Sequence, residues 1–268
     1  MQKRARHARN ERRDEAIHSE LIKGRAYQVN YTQPFLAEYR GDPWEMYKRV
    51  RVSNPVPYAA FMRCEEGDLL SFSPERYLTM DHGVVSTSPI KGTSRRSSNP
   101  VEDEQLRQLL LNSSKNRAEN VMIVDLLRND LGKYAKPGSV RVTSLCELQS
   151  FNSVHHLVSH IQAEYEQCVT PLEVFASCFP GGSITGAPKR ESMRIIGEQE
   201  RYGRGVYCGS MAYFSAHGRF DSNIAIRTIT AKAETLYLSA GGGIVIDSHW
   251  EDEYRECFTK IAAIVNGF

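Results

Sequence analysis

The chain has 268 residues, with 34 Lys and Arg against 32 Asp and Glu, for a formal net charge of +2. That balance lacks the basic footprint of a nucleic-acid-binding domain, and with 41% hydrophobic and 25% charged residues the composition is that of an ordinary globular chain. No apolar run approaches the ~18 residues of a membrane span, and the basic start, Met1 to Arg13, has no apolar segment behind it to make a secretory signal, so the expected location is cytoplasmic.

Residues 1–25 read as a basic arm leading into a first helix, Asp14 to Ile22, stopped at Gly24. The remainder, 26–268, carries no repeat or low-complexity linker and reads as one domain. Alternating runs at Tyr27 to Leu36, Tyr58 to Arg63, Leu69 to Phe72 and Tyr77 to Met80 predict strands of an antiparallel sheet. Ser113 and Ser114 can cap a helix that runs through Glu119 and Leu127 to Gly132, and Pro171 to Ser177 predicts a short helix. Further on, Val206 to Phe214, Ser222 to Ala231 and Thr235 to Ala240 read as a β-meander. After a turn at Gly241-Gly242-Gly243, Ser248 and Glu251 form the capping box of a terminal helix with Tyr254, Phe258, Ile261 and Val265 as its buried stripe. The class is α+β (mixed α/β), with sheets covered by helices. Cys64, Cys146, Cys168, Cys178, Cys208 and Cys257 form no C-x-x-C pair, which argues against a zinc ribbon or a disulfide framework and for reduced, buried thiols.

Glu253, Glu256 and Lys260 share one face of the terminal helix. A solvated Glu256–Lys260 pair accounts for them at about 0.3–0.5 kcal/mol. Equally, two glutamates from separate helices, such as Glu256 and Glu119, can hold Mg²⁺, a hard cation that takes few carboxylates and leaves positions for substrate oxygens. Spacing leaves both readings open. Arg227 shares a strand face with Ala225, as a surface ion pair or as a bidentate clamp on a carboxylate or phosphate, to which Tyr207 could add a hydrogen bond if the meander pairs. The loop from Phe179 to Lys189 is Gly-rich and runs into a helix with Pro188 in its first turn, but it fails the phosphate-loop pattern, which disfavours a nucleotide. Its backbone N–H groups still suit a carboxylate. Lys91 precedes Gly92 in a turn after a strand, and Glu75 lies in the connection Ser73-Pro74-Glu75-Arg76; by residue type alone both are solvent-facing groups.

Taken together, SPERYL, PIKGT, RAENVMIVDLLRNDLG, VHHLVS, FPGGSITGAPK, YCGSMAY, IAIRT, SAGGGIVIDS and EYRECFTK resemble, in order, the blocks of the chorismate-utilising enzymes: the anthranilate, aminodeoxychorismate, isochorismate and salicylate synthases. The resemblance spans Ala26 to the end. It implies the chorismate-binding fold, two face-to-face β-sheets with helices packed outside, and a chorismate site with Mg²⁺ between the sheets. Residue by residue, Glu119 and Glu256 resemble the Mg²⁺ ligands, with Glu253 close to the metal. Lys260 and the Gly242 and Gly243 backbone resemble contacts to the ring carboxylate, and Arg227 and Tyr207 the clamp on the pyruvyl carboxylate. His156, Ser183, Thr185 and Thr93 resemble further pocket residues.

Two positions distinguish the branches. Where isochorismate and salicylate synthases carry a lysine base for water, this chain has Gln28, and where anthranilate synthases carry a small residue it has Lys91. The PIKGT form is similar to that of the aminodeoxychorismate branch, which implies Lys91 as a covalent nucleophile and Glu75 as general acid in the amination of chorismate on the way to p-aminobenzoate and folate. The same resemblance implies ammonia from a glutamine amidotransferase partner. Anthranilate synthesis is the alternative chemistry, and a non-catalytic chorismate-binding paralogue is the alternative of another class. Most members carry a further N-terminal region, so the chain reads either as a short member or as a fragment.

Overall fold

Residues 13–22 are helical (α1) and give way to a turn at Gly24, whose φ of +73° suits a residue without a Cβ. The computed structural model describes residues 13–151 and 154–267, and the basic segment ahead of residue 13 lies outside the described residues. The chain divides into two units, one holding the described residues of Met1–Pro74, Pro180–Met211 and Ile224–Phe268, the other Glu75–Phe179 and Ala212–Asn223. Each is built on its own antiparallel sheet, and no described helix is long and apolar enough to cross a membrane.

The first unit's sheet has the order β2 (Tyr58–Cys64), β3 (Gly67–Ser73), β12 (Thr228–Lys232), β13 (Thr235–Val245), β1 (Gln28–Glu38) and β9 (Gly186–Ala187). β1 and β13 pair along their whole length, from Gln28↔Val245 to Glu38↔Thr235. Leu70, Phe72, Ile229, Leu236 and Leu238 pack against Met46, Tyr47 and Val50 of α2 (Pro43–Ser53) and Cys257, Ile261 and Ile264 of α7 (Trp250–Val265). A second cluster joins Ile17 and Leu21 of α1 to Val29, Ile244, and Ile195 and Ile196 of α6 (Lys189–Gln199). Burying side chains of this kind is worth about 1.5–3 kcal/mol each.

The expected turn at Gly241-Gly242-Gly243 is instead part of β13. The glycines serve close approach: a Cβ on Gly241 would overlap the Tyr31 carbonyl oxygen and one on Gly243 the Gln28 amide. Gly241→Ala is therefore expected to lower unfolding free energy by about 1–3 kcal/mol, the usual range for overpacking, and a wild-type urea midpoint would contradict that account. The capping box also differs. His249 is the N-cap of α7 without a side-chain bond, while Ser248 Oγ donates to Glu253 Oε1 (2.8 Å) and accepts from Val245 N (3.1 Å). The buried stripe is Cys257, Ile261 and Ile264, whereas Phe258 and Val265 are exposed. Tyr254 and Phe258 stack edge to face, and Phe258 meets Phe35 in the same way, an aromatic row whose periodicity imitates that of a core stripe.

The second unit's sheet has the order β10 (Ala212–Phe214), β11 (Phe220–Asn223), β4 (Arg76–Asp81), β5 (Val84–Thr87), β8 (Val154–Glu164) and β6 (Ile90–Arg95), with β7 (Arg141–Ser150) also on β8. It carries α3 (Pro100–Leu111), α4 (Ser114–Leu131) and α5 (Pro171–Cys178). α4 starts as predicted, with Ser113 Oγ accepting from Asn116 N, and gives way at Gly132. The expected meander is not one sheet. β10 and β11 belong to the second unit and β12 and β13 to the first, and the run from Ser222 to Ala231 is broken at 224–227, where Ile226 N donates to Ile224 O (2.7 Å). Alternation marks extended chain, not the ladder it joins. Of the cysteines, Cys146, Cys178, Cys208 and Cys257 are buried as expected, but Cys64 and Cys168 are exposed.

Candidate active site

In the first unit, the charged face of α7 lies on the glycine stretch of β13. Lys260 Nζ donates to Gly241 O (2.8 Å) and pairs with Glu256 Oε1 (2.6 Å). A Cβ on Gly242 would come within 2.6 Å of Glu253 Oε2 and 3.7 Å of Lys260 Nζ. The i,i+4 pair expected of a solvated face and the candidate cluster are thus the same residues. Glu256 is half exposed, and Lys260 reaches inward along the strand.

Gln28, at the start of β1, is fully buried, yet neither its Oε1 nor its Nε2 has a hydrogen-bond partner. It lies across the bare backbone of Gly243. A buried amide with unused valences is rare in folded proteins, and beside a glycine backbone it offers a donor and an acceptor to a small polar ligand. The turn Gly182–Ile184 carries Ser183, half-buried, into Thr185, buried, whose Oγ1 donates to Gly181 O (3.0 Å) and whose carbonyl accepts from Asn30 N (2.9 Å).

Tyr207 and Arg227 lie on segments tied by Cys208 N to Ala225 O (3.0 Å) and Ala225 N to Gly209 O (2.9 Å). The pairing expected of a meander is replaced by two turns held together. Desolvation holds the Tyr207 phenol well above its ordinary pKa, so it is a neutral hydrogen-bond donor at any working pH. Arg227 adopts φ +50°, an uncommon left-handed conformation for a non-glycine residue, while its carbonyl accepts from Phe72 N (3.0 Å).

In the second unit, Lys91 lies within β6 rather than in a turn. The register slips between Ile90↔Val158 and Thr93↔His156, with Gly92 at φ +88° inside the irregularity. Such a bulge re-aims the neighbouring side chain. A Cβ on Gly92 would lie 3.0 Å from Asn116 Cβ and 3.1 Å from Leu110 Cδ1, so α3 and α4 close directly over it. Thr93 Oγ1 and His156 Nδ1 are 2.9 Å apart across the pair. Glu119 is half-buried on α4, and its roll is set by Asn120, which is buried, donates to Leu157 O (3.2 Å) and accepts from Ser159 Oγ. Glu75 lies in the short connection ahead of β4, as expected, and is half-buried rather than fully solvent-facing.

Among the described residues no group of three or more His, Cys, Asp or Glu is gathered to hold a metal. Mg²⁺ is commonly bound through one or two carboxylates, with waters and substrate oxygens completing its shell. Glu253 and Glu256, one turn apart on α7, have the donor chemistry for that mode. Sequence reasoning missed Glu200 and Arg204, which are buried together beside β1; the only signal was an i,i+4 Glu–Arg pair beyond a helix end.

The profile of the chorismate binding enzymes matches residues 5–266. Aminodeoxychorismate synthase component 1 of Salmonella typhimurium is 48% identical over 246 residues, covering 92% of this chain and 54% of that protein. Anthranilate synthase component 1 of Acetivibrio thermocellus is 40% identical, over 90% of this chain and 49% of that protein. The crystal structure of anthranilate synthase component I from Streptococcus pneumoniae matches with a TM-score of 0.88 at 35% identity, covering 96% of this chain and 57% of that one. The chain spans about half the length of the curated relatives it matches.

Proposed function

Because this chain belongs to the family of chorismate binding enzymes, we propose that it carries the catalytic part of an aminodeoxychorismate synthase component 1. It would aminate chorismate to 4-amino-4-deoxychorismate, a transfer of nitrogen that feeds p-aminobenzoate and folate synthesis. The observation that carries this reading is the lysine at 91, set beside a glycine bulge in β6. The higher identity to aminodeoxychorismate synthase than to anthranilate synthase supports it.

On this reading the neutral Lys91 amine attacks C2 of chorismate, both ring double bonds shift, from C1–C2 to C1–C6 and from C5–C6 to C4–C5, and the C4–O bond breaks as Glu75 protonates the departing hydroxyl to water. The new C2 ammonium gives up its proton. Ammonia then adds at C4, both double bonds shift back, the C2–N bond breaks, and the electron pair returns to Lys91, whose amine takes the proton that the new C4 ammonium gives up. Arg227 and the neutral Tyr207 phenol hold the pyruvyl carboxylate, and Lys260 with the Gly242 and Gly243 amides holds the ring carboxylate. By the family resemblance, Thr93, His156, Ser183 and Thr185 would be further contacts of the substrate. Glu119, Glu256 and Glu253 would hold Mg²⁺, which when bound neutralises charge on the ring carboxylate. The name component 1 carried by the relatives implies a second component, and a glutamine amidotransferase supplying ammonia fits that place in the cytoplasm.

The test is incubation of the chain with chorismate, Mg²⁺ and ammonium salt, followed by product chromatography. Aminodeoxychorismate is the expected product. Fluorescent anthranilate as the main product would replace this reading with anthranilate synthesis, and binding without turnover would favour a non-catalytic paralogue.

A further inference from the structure

We infer that Arg204 is the positioning residue of the proposed chorismate pocket: held by Glu200, it sets both the Ser183–Thr185 turn and the turn that carries Tyr207. The inference rests on the reading above for what those turns bind. Arg204 and Glu200 are largely buried, with side-chain exposures of 15% and 3%. The whole guanidinium fork is used. Nε donates to Glu200 Oε2 (2.8 Å), Nη2 to Glu200 Oε1 (2.7 Å) and to Asn30 O (2.6 Å), and Nη1 to Ile184 O (3.1 Å). Burial is the largest influence and works against the Arg204 charge, but the Glu200 hydrogen bonds together with the electrostatic pull of Cys208, Glu200 and Tyr207 hold the group more firmly protonated than usual.

Glu200 is itself pinned. Its Oε1 accepts from Thr32 N (3.0 Å) and Thr32 Oγ1 (2.8 Å), and Thr32 Oγ1 lies 2.8 Å from the Tyr202 hydroxyl. The guanidinium plane therefore has one orientation, anchored to β1 and to the residue just past α6. From that plane it grips the carbonyl of Ile184, the residue between Ser183 and Thr185. Its own carbonyl meanwhile accepts from Tyr207 N (3.1 Å), closing the second turn. A buried ion pair is a poor stabiliser compared with apolar packing, so stability alone gives little reason for it. What the planar fork supplies is a fixed geometry linking three segments, which a point charge cannot reproduce.

Arg204→Lys and Glu200→Gln in the full chain test this. Lysine keeps the charge opposite Glu200 but loses the fork, and glutamine keeps the shape but loses the charge. In both variants the amides of Thr185, Tyr207 and Cys208 are expected to exchange at least about tenfold faster, as when one net hydrogen bond is lost. Amides of the β1–β13 ladder should keep their wild-type rates. The KM for chorismate with ammonium salt should rise about tenfold, with kcat changed far less. Wild-type exchange at the two turns, or an acceleration spread evenly over the first unit, would show an ion pair that serves the fold alone and would overturn the inference. So would faster exchange at the turns with an unchanged KM. If the wild-type chain neither binds nor turns over chorismate, the functional reading fails by itself, and the exchange measurement still decides whether Arg204 sets the turns.

Discussion

Lys91→Ala is expected to slow consumption of chorismate with ammonium salt by more than about 10³-fold, the scale on which an enzyme loses its nucleophile. The same substitution should abolish a covalent adduct. Without ammonia, the first half of the proposed reaction runs and the second cannot, so wild-type protein should gain chorismate-derived mass on the peptide containing Lys91. The alanine variant should gain none. Its fold should survive, because Lys91 is only half-buried and the bulge that orients it is made by Gly92 under Asn116 and Leu110. Circular dichroism and the urea midpoint separate loss of chemistry from loss of structure. Turnover in Lys91→Ala near the wild-type rate would sink the covalent scheme whatever the product, since that scheme has no other nucleophile for C2. The size of the effect follows from the role proposed for the amine. It would divide one difficult substitution into two easier ones, and a methyl group offers neither step.

Lys91 and the glycines show what a sequence makes legible. β1 to β4, α4 and α5 are visible because alternation, a Ser cap and a Pro start each act locally, within one element. Glycine signals are ambiguous, because the same residue serves a turn, a bulge and close approach. PIKGT and SAGGGIV both read as turns, yet Gly92 sits in a bulge and Gly241–Gly243 lie inside a strand pressed by Tyr31, Glu253 and Gln28. Those neighbours are distant in sequence, so no local pattern contains them. α2 and α3 escape the periodicity although each opens on an Asx cap followed by Pro, at Asp42-Pro43 and Asn99-Pro100. That signal is present in the chain. For the site, local chemistry picks out candidate residue types but leaves a bland alternative beside each. Only the order of many blocks along the chain points to one substrate. Arg204 escapes because a polar stretch after a helix looks solvated until β1 is folded against it.

Arg227→Gly and Arg227→Ala together should separate function from stability. At φ +50° the Arg227 backbone occupies a region that disfavours a Cβ by about 1–2 kcal/mol and that glycine enters freely. The backbone bond from Phe72 N to the Arg227 carbonyl does not depend on the side chain. Glycine therefore relieves strain, at the cost of a somewhat more flexible unfolded chain, and the thermal midpoint of the variant is expected to stand above that of Arg227→Ala, which loses the same side-chain interactions. Activity should be lost in both. Removing a bidentate charge-assisted clamp on a carboxylate forfeits hydrogen bonds worth about 1.5–3 kcal/mol each, so kcat/KM for chorismate should fall by roughly 10²- to 10³-fold. Arg227→Ala controls for the backbone, because it loses the same clamp while keeping the strained Cβ. It should match glycine in lost activity and fall below it in thermal midpoint. A residue held in an unfavourable conformation is explained by what its side chain does. If Arg227→Gly were both less stable than Arg227→Ala and nearly as active as the wild type, neither the strain nor the clamp could be the reason an arginine stands there.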